Sequence, residues 1–201
     1  MIKKLLLNNK LIDEINLNLF NEYLYETQSE PFLKLRDVND NESRQHDYYR
    51  TLALISTFIS DSIIFDIGTG HGYSALSLSY NNTNNVYSFD VNRSRKLEIK
   101  NKKNINFIIG DALEHSKILE AKIIYLDTAH DGIFERKCIK FLEDNNWRGL
   151  LIMDDCFYSE YPELTKIYNE FEYKKFDITK YGHFSGTALI DFNNELELET
   201  E

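Results

Sequence analysis

The stretch Ser62 to Tyr80, SIIFDIGTGHGYSALSLSY, limits what this chain can fold into more than any other. An apolar run, Ile63-Ile64-Phe65, leads to Asp66 and then to Gly68, Gly70 and Gly72 on alternate positions. An amphipathic segment containing Tyr73, Leu76 and Leu78 follows. The pattern predicts a buried parallel strand, a tight glycine turn and the start of a helix. Glycine is needed where the backbone takes positive φ or where a ligand lies almost against the main chain. The turn therefore predicts a small molecule over the carboxyl end of that strand.

Composition narrows the partners. The chain has 201 residues, suited to one domain with a substantial core, and 42% hydrophobic residues, a globular value. A formal net charge of -10 argues against a nucleic-acid backbone or an anionic membrane as main partner, since both need clustered Lys and Arg. No apolar run approaches the roughly 18 residues of a membrane span. The start, MIKKLLLNNK, lacks a sustained apolar stretch, so no signal peptide is expected. Cys138 and Cys156 form no metal spacing and read as buried, reduced thiols of a cytoplasmic protein.

The rest of the chain alternates helical and strand patterns. Leu11 to Leu24 and His46 to Ile59 show helical stripes, with Pro31 and a polar loop, Asp37 to Arg44, between them. The segment SRQHDYYR, entering the second stripe, suits either a solvated helix start or a contact to cofactor or substrate. Val86 to Phe89 leads into Asp90, an acid about 20 residues past the glycines that can accept both ribose hydroxyls. The linker Arg93 to Lys103 leaves room for about two helical turns. Ile105 to Ile109 is closed by Gly110 and Asp111, and a helical pattern, Ala112 to Leu119, begins at once, so Asp111 also suits a helix N-cap. Ile123 to Leu126 delivers Asp127, and Leu150 to Met153 delivers Asp154 and Asp155. Helices to about Leu142 and from Ser159 to Phe171 follow these strands, and Tyr173 to Ile178 and Thr187 to Phe192 read as the last two strands. The organisation expected is a single domain over 1-201: an N-terminal helical cap (1-60), an α/β core (61-192) and a frayed acidic tail (193-201).

The dinucleotide fingerprint G-x-G-x-x-G would need glycine where the chain has Tyr73, which disfavours a nicotinamide-dependent oxidoreductase. The observed G-x-G-x-G preceded by Asp66 resembles motif I of the class I S-adenosylmethionine-dependent methyltransferases. The resemblance implies an α/β fold: a doubly wound, Rossmann-like seven-stranded sheet with the last strand antiparallel, plus N-terminal helices. It implies S-adenosylmethionine held by Asp66, Gly68, Thr69, Gly70, Gly72 and Tyr73, by Asp90 and Val91 at the ribose, and by Asp111 and Ala112 at the adenine.

Asp127, Asp154 and Asp155 should reach the same rim, because parallel strands share a carboxyl edge. Carboxylates so gathered repel one another unless something positive sits among them, and Mg²⁺ or Mn²⁺ would serve. A strand-end Asp followed by an acidic pair at the next strand end resembles the metal-dependent O-methyltransferases of the catechol type. That resemblance implies Asp127, Asp154 and Asp155 as metal ligands. Two positions depart from it: Asp155 stands where that group has Asn, and His130 where it has a lysine base. The other reading is that Asp131 caps the next helix and Asp155 a turn, with no cation.

The strings LDTAHDGIFER and YGHFSGTALIDF, with the acidic pair between them, resemble a smaller group of methyltransferases associated with bacterial and viral glycan biosynthesis. The similarity spans roughly Gln45 to Phe192 and implies a sugar hydroxyl, or that of another small molecule, as acceptor. His183 lies in the turn between the last two strands, which the class I fold puts at the active-site rim. The expected chemistry is O-methylation, with Asp127 and a cation activating the acceptor hydroxyl, His130 as general base and His183 orienting or substituting. A metal-free transferase using His130 alone is the alternative.

Overall fold

The structure, a computed structural model, describes residues 2-25, 48-92 and 97-200. In chain order the strands are β1 (Lys4–Leu7), β2 (Ile63–Ile67), β3 (Asn85–Asp90), β4 (Ile105–Ile109), β5 (Ile123–Leu126), β6 (Leu150–Met153), β7 (Lys174–Asp177), β8 (Ala188–Asp191) and β9 (Glu197–Thr200). The α-helices are α1 (Asn9–Glu14), α2 (Tyr48–Ser56), α3 (Tyr73–Leu78), α4 (Ile133–Asp144) and α5 (Pro162–Glu170). Seven strands form one sheet in the order β4-β3-β2-β5-β6-β8-β7, parallel except for β8, which runs antiparallel to both neighbours. This is the doubly wound, Rossmann-like α/β sheet with an inserted antiparallel strand that the resemblance implied.

Strand alternation builds a core on each face of the sheet. Along β5, Ile123 and Tyr125 pack with Leu52, Ile55 and Leu76, while Ile124 and Leu126 pack with Leu142, Trp147 and Phe192. The period of two sends successive side chains to opposite faces, so a central strand must be apolar throughout. Each such side chain contributes about 1.5–3 kcal/mol on full burial. Cys138 and Cys156 are buried free thiols, and burial pushes the Cys138 thiol up to about 12.

Several local expectations are corrected. The stripe Leu11 to Leu24 is not one helix: α1 ends at Ile15, and a 3-10 segment, Leu17–Tyr23, follows. Asn16 marks the break: its side chain accepts from the Asn18 N–H at 3.1 Å, competing with helical hydrogen bonds, while Asn8 caps the start of α1 by accepting from the Leu11 N–H at 2.8 Å. Ala112 to Leu119 likewise forms two short 3-10 turns, Ala112–Glu114 and Ile118–Glu120, separated by extended His115. No helix lies between β3 and β4 among the described residues, and Ile99 there bridges to Leu24. Pro31, the loop Asp37 to Arg44, His46 and Asp47 lie outside the described residues, as do 93-96 of the basic linker.

The tail is not frayed. β9 pairs in parallel with β1, in register from Lys4 with Glu197 to Leu7 with Thr200, so the N-terminal region begins with a strand. In the stretch Glu195 to Thr200 acids and leucines alternate. Leu196 is buried, Leu198 packs against the core that holds Leu5 and Leu7, and Glu199 meets Lys4 at 2.7 Å. Asp191 fixes the preceding turn by accepting the N–H groups of Glu195 at 2.7 Å and Leu196 at 2.6 Å.

The tightest approach in the sheet is between the glycine turn and the end of β5. Gly68 has φ +106°, and a Cβ there would sit 1.6 Å from the Asp127 carbonyl oxygen. Gly68→Ala is therefore expected to cost about 3 kcal/mol or more. That lowers Tm by roughly 6–12 °C in a thermal melt, and an unchanged midpoint would contradict the assignment of this contact.

Candidate functional site

The carboxyl ends of β2, β3, β5 and β6 open on one cleft of about 660 Å³. Gly68 and Gly70 form its floor, and Asp90, Val91 and Ala112 line one end. Asp127, His130, Asp154, Asp155 and His183 line the other. Ten of the fifteen residues singled out in the sequence thus share one cavity. Asp66, Thr69, Gly72, Tyr73 and Asp111 are not in its wall.

Those five serve the wall from behind. Asp66 is fully buried beneath the turn, where it accepts from the Ser88 hydroxyl, and Ser88 lies 2.7 Å from the Thr69 hydroxyl. The Gly68 and Thr69 N–H groups donate to the Phe89 carbonyl at 2.8 and 3.0 Å, tying the turn to β3. Burial raises the Asp66 carboxyl to about 7 despite hydrogen bonds from Ser88 and Ser74. Gly72, at φ +93°, caps α3, and the Tyr73 hydroxyl donates to Glu98. Asp111 accepts the Leu113 N–H at 2.9 Å, the N-cap role weighed for it, and pairs with Lys137 at 2.7 Å. Partial burial would raise its pKa, but Lys137 outweighs that and lowers it.

At the other end the acids and histidines interlock. His130 Nε2 lies 3.3 Å from Asp127 Oδ1 and 3.2 Å from Asp155 Oδ2. The other Asp155 oxygen, Oδ1, is 3.1 Å from His183 Nδ1 and accepts from Ser185. Asp154 faces inward, where Tyr48 and Tyr125 each donate to its Oδ2 at 3.2 Å and Thr187 to its Oδ1 at 3.4 Å. Burial, and the charge of Asp127, raise the Asp154 carboxyl. Asp155 is shifted the other way: burial is outweighed by hydrogen bonds from His183 and Ser185, and its pKa falls. Burial would lower both histidines, yet their carboxylate partners leave each raised.

The backbone that presents these groups is unusual. His130 at φ +60° and Asp155 at φ +56° both occupy the left-handed region, which non-glycine residues seldom adopt. Glu135, buried on the first turn of α4, accepts the Thr128 hydroxyl at 2.6 Å and the His130 N–H at 3.1 Å, fixing that loop. Asp131 accepts the Ile133 N–H at 2.9 Å, the capping role weighed for it.

Three potential ligands converge twice: Asp127 with His130 and Asp155, and Asp154 with Asp155 and His183. The trio expected from sequence, Asp127 with Asp154 and Asp155, is thus divided between two groups, each completed by a histidine. Sequence reading passed over Tyr125, Tyr161 and Thr187, and reached Tyr48 only as part of the segment SRQHDYYR. Tyr161 stacks on His130 with ring centroids 4.7 Å apart. Only Tyr125 had a local signal, as the polar-tipped residue of an otherwise aliphatic strand.

No family model matches the chain, and no curated protein matches it by sequence. Solved structures do. Cofactor-bound Rv0187 from MTB superposes with a TM-score of 0.51 at 12% identity, covering 84% of this chain and 87% of its own. The fold is thereby shared. S-adenosylhomocysteine-bound methyltransferase PaMTH1 from Podospora anserina gives 0.47 at 15% identity, covering 71% of this chain and 78% of its own. A methyltransferase from Geobacter sulfurreducens gives 0.48 at 14%, covering 76% and 78%. No helix of the described residues is long and apolar enough to cross a membrane.

The Asp66 shift has a definite sign. A carboxyl whose folded value of about 7 lies above its ordinary 3.8 stabilises the fold fully below pH 4. The contribution declines as pH rises towards 7, by up to about 1.4 kcal/mol per unit. Asp66→Asn is expected to gain stability relative to wild type between pH 4 and 7, by a few kcal/mol at most. Denaturant melts at pH 4.5 and 7.5 measure it, and a difference between variant and wild type that does not change with pH would refute the shift.

Proposed function

We propose that this protein is an S-adenosylmethionine-dependent O-methyltransferase acting on a hydroxyl of a small molecule or sugar. One observation carries the reading: a single cleft has a glycine turn and Asp90 at one end and a paired histidine–carboxylate cluster at the other. The first end suits an adenosyl group. Asp90 takes the ribose hydroxyls, Gly68 and Gly70 let the donor lie against the main chain, and Val91, Ala112 and Phe134 flank the base. Asp111, already bound to Lys137, supports that wall and contributes less to the adenine than the family pattern implies.

The second end suits proton removal from an acceptor. The acceptor oxygen forms a bond to the methyl carbon as the carbon–sulfur bond breaks, and its electron pair stays on sulfur, giving S-adenosylhomocysteine. The acceptor proton passes to a histidine. His183 is the better placed of the two, because Asp155 holds its Nδ1 and directs the ring as in other carboxylate–histidine pairs. His130, whose Nε2 faces Asp127 and Asp155 rather than the open cleft, has the lesser claim. Asp127, His130 and Asp155 would hold a divalent cation, which when bound supplies Lewis acidity at the acceptor oxygen. Asp154 supports this group through Tyr48 and Tyr125. A metal-free version of the same reaction draws on the raised pKa of His130, whose imidazolium would itself offset the carboxylates.

The test is equilibrium binding of S-adenosylmethionine and of nicotinamide cofactors. Methyl transfer from labelled donor is then assayed on nucleotide sugars, oligosaccharides and catechols, with and without divalent metal. Donor binding is expected, with Asp90→Ala weakening it at least about tenfold. His183→Ala should lower turnover about 10²–10⁴-fold and leave donor affinity within about twofold. Binding of a nicotinamide cofactor in place of S-adenosylmethionine would overturn the reading.

A further inference from the structure

We infer that His130 is a metal ligand and that the site it shares with Asp127 and Asp155 selects a nitrogen-accepting ion such as Zn²⁺ or Co²⁺ over Mg²⁺. The use of that ion in methyl transfer rests on the function proposed above; its binding does not.

The distances distinguish a ligand set from a hydrogen-bonded set. A charge-assisted N–H···O contact to a carboxylate closes to about 2.7–2.9 Å. His130 Nε2 stands 3.3 Å from Asp127 Oδ1 and 3.2 Å from Asp155 Oδ2, longer than a contact of that strength, and a single N–H shared between the two makes only a weak three-centre contact. Adjacent ligands on a tetrahedral cation with bonds of about 2.0–2.1 Å stand about 3.3–3.4 Å apart, near the observed separations of 3.3 and 3.2 Å. All three donor atoms lie within 4.8 Å of one another.

The surroundings hold these donors as outer partners hold metal ligands. Asp155 Oδ1 is occupied by His183 and Ser185, which turns Oδ2 towards His130. The His130 backbone is fixed by Glu135 and its ring by Tyr161. Asp127 accepts from the Tyr125 hydroxyl at 3.2 Å through Oδ2, leaving Oδ1 on the His130 side. Its side chain is 36% exposed, so the site has an open face for water or an acceptor.

The donor chemistry sets the preference. Mg²⁺ takes oxygen ligands in a near-ideal octahedron, whereas imidazole suits Zn²⁺ and its neighbours late in the first transition row. Asp154, which would have completed an all-oxygen trio, is committed to Tyr48, Tyr125 and Thr187.

The experiment titrates the chelator-treated full chain with Zn²⁺, Co²⁺ and Mg²⁺, each alone, by calorimetry. Zn²⁺ and Co²⁺ are expected to bind at least tenfold more tightly than Mg²⁺. His130→Ala should remove at least tenfold of that advantage and leave Mg²⁺ within about threefold. The Co²⁺-loaded wild type, which needs no variant to fold, should show a hyperfine-shifted imidazole N–H resonance in its proton spectrum. Equal affinity for Mg²⁺ and Zn²⁺, no binding of any of the three ions, or a Co²⁺ spectrum without that resonance would overturn the inference. Donor binding is measured separately: a chain that binds S-adenosylmethionine but fails these tests loses only this inference. One that binds Zn²⁺ through His130 but no S-adenosylmethionine loses only the proposed function.

Discussion

The close approach of Gly68 to the Asp127 carbonyl joins the two halves of this molecule. A Cβ at Gly68 would overlap that oxygen, so the end of β2 and the end of β5 can lie together only because residue 68 has no side chain. Everything placed by β2 and β3, including the turn and Asp90, is thereby set against everything placed by β5 and β6. The relay from Asp66 through Ser88 to Thr69 keeps the turn from lifting off β3. Asp66 therefore acts under the floor of the cleft rather than in it. Its burial is tolerable because Ser88 donates to one carboxyl oxygen and burial pushes the group up to about 7.

Charge is the second constraint. Asp127, Asp154 and Asp155 end adjacent strands, and the fold must compensate them without burying a bare anion. It does so unequally. Asp154, buried at the cleft wall and engaged by phenol and threonine hydroxyls, is raised by that burial and by the charge of Asp127. Tyr125, pushed high by burial and by the charges of Asp127 and Asp154, keeps its single proton and places its hydroxyl 3.2 Å from a carboxylate oxygen of each. Asp155, flanked by His130 and His183, is stabilised as an anion and becomes the hinge of the cluster. The αL backbone at His130 and at Asp155 is consistent with local strain accepted to aim these two side chains at each other.

The sheet was legible in the sequence because its central strands are short apolar runs that end in a turn residue or an acid. The order in space follows from parallel crossovers with one antiparallel insertion. What sequence patterns missed depends on partners far along the chain. Asn16 interrupts an otherwise helical stripe with a single side-chain hydrogen bond, and His115 divides another. The tail looks disordered by its charge, yet its leucines find a core with Leu5 and Leu7, nearly the full length of the chain away. The acidic residues of the site were readable singly. Their division into two groups was not, since it is decided by Tyr48, some 106 residues from Asp154, and by Thr187, some 33 residues from it.

The mouth of the cleft carries the argument one step further towards the acceptor. Tyr161 stacks on His130, Tyr158 meets Tyr161 edge-on at 5.3 Å, Phe184 meets Tyr158 at 6.0 Å, and His183 meets Phe184 at 4.5 Å. The chain of rings thus begins and ends on the two histidines that hold Asp155. Rings in such a chain offer apolar faces, and Phe184 is 53% exposed beside His183. A molecule with one flat apolar face and hydroxyls on its edge, the acceptor class proposed above, would satisfy the rings and the histidines at once. A charged, extended acceptor would satisfy neither, and the net charge of -10 would repel it if anionic. On the function proposed above, acceptor specificity would belong to the loops after β6 and before β8, which carry those aromatics, and the glycine turn and β3 would attend to the donor.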